Sequence, residues 1–248
     1  MLQKIKWLIS GFIALLNPRK WGVFQEAYKF TKFDSAFTPS WSQAGEDLAL
    51  ELILDTVQVE HFYLDIGAHD PNRFSVTRKL YDRGWIGIDI DGNPDFESKF
   101  NRLRSKNQFL NVCVGSKSHY EFTIYSEGAI STANSDWVEK FNSEGAVIQK
   151  KLQVKGMKLR EILDMPGVPE KVGFINIDVE GADEDALRSI EFESLDQNRF
   201  PQWILLETAP PVDKSLQFPA VTYAVEHGYI PWLILPMATL LKAPQKNL

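Results

Sequence analysis

Short apolar runs alternate with stretches of helical periodicity along most of this 248-residue chain. Phe62–Ile66, Trp85–Ile90, Phe109–Val114 and Tyr120–Tyr125 have the length and the β-branched or aromatic content of strands. So do Val172–Asp178, Trp203–Glu207 and the Pro-interrupted Tyr229–Leu235, whose proline suits an edge position. Tyr120 begins an excursion, and Leu152–Val154 reads as the place where the sheet resumes. Between these runs, Gln43–Leu54 carries Leu48 and Leu52 at helical spacing, and further helices are expected over Ser75–Arg83, Pro94–Ser105, Leu159–Leu163 and Asp183–Ile190. Gly84 is a natural stop for the second of these, and the acidic start at Asp183 suits the positive end of a helix. Strand and helix in alternation predict an α/β fold, a doubly wound and mostly parallel sheet.

Two segments fall outside that rhythm. Residues 1–39 mix aromatic and basic patches without a bounded strand and predict an N-terminal helical extension, leaving 40–248 as the main domain. Ser126–Gly145 is polar and rich in Ser, Asn and Gly, and is expected to be loop with one helical piece. Ordered loops of that length are usually functional, so a lid on the substrate side is the reading.

Three of the strand runs end in acids, at Asp65, Asp91 and Asp178, with Glu180 two residues further on. Doubly wound sheets bind ligands beyond the carboxyl ends of their strands. Gly67 follows the first run directly, and a glycine there lets a cofactor approach the backbone. Asp91 lies 24 residues after Gly67, close to the offset of roughly 20 at which an acid reaches a ribose hydroxyl. In a dinucleotide fingerprint the third and sixth positions would be glycines, but here they are His69 and Asn72, and no Walker-type lysine follows. A nicotinamide-dependent oxidoreductase is thereby disfavoured, and a cofactor with one nucleoside and no phosphates fits better.

Composition narrows the picture. A net charge of −6 argues against a nucleic-acid partner. The single cysteine, Cys113, permits no internal disulfide and no cysteine-based zinc site, in keeping with a cytoplasmic location. His61, His69, His119 and His227 show no metal-ligand spacing. The ten-residue apolar stretch Trp7–Leu16, flanked by Lys4, Lys6, Arg19 and Lys20, is too short for a bilayer, which needs about 20 residues. A helix lying on a membrane surface and a helix packed on protein are both compatible with it, so peripheral membrane contact stays open. A domain that keeps the fold but only binds a partner or membrane is the non-enzymatic alternative.

Taken together, Ser42-Gln43-Ala44-Gly45-Glu46-Asp47, Asp65-Ile66-Gly67-Ala68-His69, Asp91-Gly92-Asn93-Pro94 and Ile177-Asp178-Val179-Glu180-Gly181-Ala182-Asp183 resemble the FkbM-type methyltransferases. These are S-adenosylmethionine-dependent enzymes that mostly methylate hydroxyls of sugars and natural products. The resemblance runs from about Ser42 to Trp232, and its most specific motif is the last. It implies a Rossmann-like class I methyltransferase domain and a small-molecule or glycan acceptor, such as a sugar, glycan, glycolipid or related metabolite. Asp65, Gly67 and Ala68 would face the methionine part of the cofactor, Asp91 and Asn93 the ribose, and Val112 and Val114 the adenine. The loop holding Gln43, Gly45, Glu46 and Asp47 would close over the cofactor, Asp178 would lie near the transferred methyl, and Glu180 would shape the site. His69 and Pro71 stand where many members carry Asn and Gly, and Asn176 where a lysine is frequent.

A general base for the acceptor hydroxyl adds about 10² to 10⁴-fold. His69 is the first candidate because an imidazole titrates near neutrality, although a turn histidine can equally be a structural hydrogen-bonding residue. Asp178 is the competing base. Asp178, Glu180 and Glu207 offer hard oxygens of the kind magnesium and calcium take, but spacing alone assigns no metal site. The Ser131–Trp137 stretch combines hydroxyls, an amide and an aromatic ring, a mixture suited to a sugar.

Overall fold

In the computed structural model, residues 38–209 and 211–244 are described. The expected N-terminal extension and its membrane-surface helix lie outside the described residues, apart from 38 and 39. All elements named below belong to the unit from Trp41 onward. Among the described residues, no helix is long and apolar enough to cross a membrane.

The strands are β1 (Phe62–Ile66), β2 (Ile86–Ile90), β3 (Gln108–Leu110), β4 (Cys113–Val114), β5 (His119–Tyr125), β6 (Ile148–Met157), β7 (Phe174–Ile177), β8 (Trp203–Glu207), β9 (Ile230–Ile234) and β10 (Ala238–Lys242). The helices are α1 (Glu46–Leu54), α2 (Arg78–Asp82), α3 (Glu97–Leu103), α4 (Ser135–Ser143), α5 (Leu159–Leu163), α6 (Asp183–Arg188) and α7 (Pro219–Glu226). Seven strands form the main sheet in the order β3-β2-β1-β7-β8-β10-β9. β3, β2, β1, β7 and β8 run parallel, and β10 is antiparallel to both of its neighbours.

Helices cover both faces, which is why the central strands read as unbroken apolar runs. On one face Ile66, Ile90, Ile177 and Leu206 pack with Ile162 of α5, Leu187 of α6 and Val221 of α7. On the other, Tyr63, Phe174, Trp203 and Leu205 pack with Leu50 and Leu54 of α1 and Leu80 of α2. Side chains alternate along a strand, so Ile66 belongs to the first face and its neighbour Asp65 to the second.

Four expectations need correction. The run Phe109–Val114 is not one strand. It breaks at Asn111, whose amide donates to the Asp91 carbonyl (2.9 Å), and its second half joins a separate three-stranded sheet, β4-β6-β5. Leu152–Val154 does not resume the main sheet. It is the middle of the long β6, which pairs with β5 and exposes Lys151, Gln153 and Lys155 on one side. Tyr229–Leu235 is not the last strand, because Ala238–Lys242 turns back and inserts between β8 and the edge strand β9. The expected helix from Ser75 starts only at Arg78, since the hydroxyls of Ser75 and Thr77 are used inside the protein, as described next.

Candidate active site

The carboxyl ends of β1, β2 and β7 converge on one cavity. Behind β1 the chain turns at Gly67 (φ 83°), where the amides of Gly67 and Ala68 donate to the Ile90 carbonyl (2.9 and 3.0 Å). A Cβ on Gly67 would sit 1.7 Å from the Asp178 carbonyl oxygen, so only glycine lets this turn lie against the end of β7. His69 follows, also at positive φ (48°), a conformation histidine adopts more readily than most residues.

That backbone aims two N–H groups at one acid. The His69 amide donates to Asp91 Oδ2 (2.9 Å), and the Asn93 amide donates to Asp91 Oδ1 (2.7 Å). Asn93 in turn caps the turn at Pro94–Phe96 by accepting from the Asp95 amide (3.0 Å). Asp91 is 9% exposed, and burial pushes its carboxyl up to about 6 against the lowering effect of the two amides, so it is ionised at neutral pH. Beside it, Ile90, Val112, Val114 and Phe122 form an apolar slot. Cys113 lines the same slot, and burial pushes its thiol up to about 12, which leaves it without thiolate character.

The His69 ring packs edge-on against Phe96 (4.9 Å between centroids). Its Nδ1 is buried without a hydrogen-bond partner among the described residues, and burial chiefly lowers its pKa, so the imidazole is neutral at pH 7. The expected lid contributes Gly128, Ala129, Ser131 and Ala133 to the cavity wall. It is pinned to the opposite wall: Thr132 Oγ1 donates to the Glu180 carbonyl (2.8 Å), and Asn134 Nδ2 donates to the Gly181 carbonyl (2.6 Å). The Asn134 side chain also caps α4, whose Trp137 lies directly against Gly181.

The far wall is acidic. Asp178 and Glu180 follow β7, Glu207 ends β8, and carboxylate oxygens from all three lie within 4.8 Å of one another. Glu180 is held at φ 50°, an unusual conformation for its residue type. Burial and then mutual repulsion push Glu180 and Glu207 up to about 8 and raise Asp178. Asp183, which accepts from the Val179 amide (3.3 Å), is pushed up to about 6 by burial.

Asp65 does not line this cavity. It points to the other face, where Asn176 Nδ2 (2.9 Å) and the Thr77 hydroxyl donate to it. Fully buried Arg104 lies 3.8 Å away and bonds Asp89 (2.5 Å), Thr77 Oγ1 (2.8 Å), Ser75 Oγ (2.6 Å) and the Pro71 carbonyl (2.9 Å). Asn107 Nδ2 completes the network on Asp89 (2.8 Å) and Tyr63 Oη (2.6 Å). Nothing in the sequence marked Arg104, which lies just past α3.

The upstream loop divides its work. Gly45 enters α1 in a left-handed conformation (φ 88°), and Asp47 holds the turn by accepting from the Trp41 amide (2.7 Å) and Ser42 Oγ (2.8 Å). Gln43 and Glu46 instead line a cleft with Asn176, Asp178 and Glu207, on the acidic side and away from Asp91. Ser131, at the start of the stretch read as suited to a sugar, does line the cavity, whereas Phe122 was missed because it belongs to the smaller sheet.

A family model described as "Methyltransferase FkbM domain" matches residues 65–226. Solved structures with a similar chain course include a precorrin-6y C5,15-methyltransferase from Geobacter metallireducens, at 14% identity and a TM-score of 0.41, covering 87% of this chain and 95% of that one. Another is a TehB-like SAM-dependent methyltransferase from Corynebacterium glutamicum, at 11% identity and a TM-score of 0.39, covering 92% of this chain and all of that one. No curated protein matches the chain.

Proposed function

The chain belongs to the FkbM methyltransferase family, and from that premise we propose that it is an S-adenosylmethionine-dependent O-methyltransferase acting on a hydroxyl of a sugar, glycan, glycolipid or related metabolite. The family and the mostly parallel, Rossmann-like class I sheet establish a methyltransferase with S-adenosylmethionine as its cofactor. The O-methyl chemistry and the acceptor class are the proposed part.

The observation that carries the reading is Asp91, an ionised carboxylate fixed by two backbone N–H groups at the mouth of the apolar slot. An acid so held keeps lone pairs for the two hydroxyls of a ribose, and the slot beside it suits a flat, weakly polar base. The donor set therefore fits a nucleoside cofactor. Asp91 would hold the ribose, Ile90, Val112 and Val114 the adenine, and the Gly67 turn the sulfonium end. When bound, the cofactor supplies a methyl group already activated for in-line displacement, which leaves positioning and proton removal to the chain.

His69 is suited to take the proton. It is neutral and lines the cavity. Asp178 is the weaker candidate, because burial and the neighbouring Glu207 raise its pKa and favour its protonated form. Glu180 and Ser131, on facing walls, offer polar atoms to an acceptor with several hydroxyls.

Titration calorimetry with S-adenosylhomocysteine and with NAD tests the cofactor assignment: heat with the first and none with the second is expected, and the reverse sinks it. Mass spectrometry of hydroxyl-rich glycans incubated with enzyme and cofactor tests the acceptor class through a gain of one methyl on oxygen. Methylation confined to nitrogen or carbon acceptors rejects it. His69→Ala should lower turnover about 10²-fold or more at unchanged S-adenosylhomocysteine affinity. Full turnover in that variant removes His69 from the chemistry.

A further inference from the structure

Among the described residues, the acidic wall gathers carboxyl groups that no cation of the chain pairs. Asp178, Glu180 and Glu207 bring carboxylate oxygens within 4.8 Å of one another. The nearby ammonium of Lys140 lies 4.1 Å over the Trp137 ring, and among the described residues none of the three acids has an ion pair within 4.0 Å. Carboxylates that chains bury are ordinarily paired or bound to a metal.

Glu46 supplies an independent sign. It is 3% exposed, and Oε2 accepts from the Ala44 amide (2.9 Å), while Oε1 is buried with no partner among the described residues. Glu46 lines the cleft that also holds Asp178, Glu207 and Asn176. The Asn176 NH₂ is spent on Asp65, which leaves that residue its carbonyl oxygen. A carboxylate oxygen buried without a donor is costly, and this one lines the same cleft as two further carboxyl groups, a place that suits a positive ligand.

We propose that Asp178, Glu180 and Glu207, with Glu46 at the back of the cleft, form a divalent-cation site on the acceptor side of the methyl-donor cavity. The donors are hard oxygens, the set preferred by magnesium, calcium and manganese. Several carboxyl oxygens around one point suit the coordination of a metal ion better than the single charge and N–H donors of an organic ammonium. Asp178 lines both the cleft and the donor cavity, so a cation there sits next to the place of reaction. There it would bind the acceptor oxygen and make its proton easier to remove. That role rests on the methyl-transfer reading, whereas cation binding does not.

Electron paramagnetic resonance of MnCl₂ titrated with the full chain tests the site. Wild-type protein should remove the free-ion signal with one Mn²⁺ per chain, and Glu207→Gln and Glu46→Gln should each weaken binding tenfold or more. MnCl₂ should raise the melting temperature of the wild type and leave that of Glu207→Gln unchanged, which guards against a variant that merely folds poorly. An unchanged free-ion signal with millimolar wild-type protein overturns the site, and so does undiminished binding in both variants. Mn²⁺ binding without S-adenosylhomocysteine binding would keep the cation site and remove the cofactor reading. The opposite pattern would do the reverse.

Discussion

Two groups of acids stand at the strands of one sheet, and they have opposite fates. Asp65 and Asp89 lie on the α1–α2 face around Arg104, and every member of that group is buried and hydrogen-bonded. Asp178 and Glu180 line the donor cavity and Glu207 the adjoining cleft, and among the described residues none of the three has an ion pair. The first group is architecture. Its guanidinium ties the turn at Pro71, the start of α2 and the ends of β1 and β2 into one block, and so fixes the Gly67–His69 turn from behind. The second group clusters without an ion pair and is the one proposed to hold a cation. An acid at a strand end therefore says little by itself. Its meaning depends on whether the chain supplies the counter-charge.

The comparison can be broken most forcefully at Arg104. Removing one partner of a buried ion pair leaves the other uncompensated, so Arg104→Met should lose about 3–5 kcal/mol in urea unfolding. Stability equal to wild type would mean that Asp65 and Asp89 do not need their cation. Next in size is Asp91→Ala, which should weaken S-adenosylhomocysteine binding about 10- to 100-fold in calorimetry, the worth of charged hydrogen bonds. Unchanged affinity would separate Asp91 from the ribose.

A smaller effect follows from the Asp91 carboxyl, pushed up to about 6. Protons compete with the ligand for this acid, so S-adenosylhomocysteine affinity should be level above that pH and fall by up to about tenfold per unit below it. A flat profile down to pH 5 contradicts the assignment. The smallest effect is a slope. Glu207, pushed up to about 8 in the folded chain, lies above the ordinary glutamate value. Its stabilising contribution is present below that ordinary value and is lost as pH rises through about 8. Glu207→Gln should therefore lose less stability than wild type between pH 6 and 9, a difference of roughly 1 kcal/mol or less after screening at a partly open site. A slope identical to wild type would place Glu207 with the compensated acids.

Much of the fold was legible. β1, β2, β7 and β8 are covered on both faces and appear as continuous apolar runs. β6 was legible only in part, because half of it faces solvent and its lysines dilute the apolar signal. β10 follows β9 after a tight reversal and has no helix between, so the alternation of strand and helix gave no cue to it. Gly67 and Asp91 stood out in the sequence because each directly follows a strand. Asp65 was expected to face the cofactor, yet side-chain alternation turns it to the opposite face, where Asn176, Thr77 and Arg104 hold it.

What the sequence determined by itself was periodic or local: which runs become strands, where glycine must turn the chain, and which motifs mark the methyltransferase family. Periodicity acts between neighbours along the chain, so it can be read from one strand at a time. Tertiary structure alone decided which acids are neutralised and which are not. Glu46 meets Asp178 and Glu207 across a cleft built from α1, β7 and β8, and Arg104 reaches Asp89 from the end of α3. Charge interacts through space, with a strength set by distance and burial rather than by order in the chain.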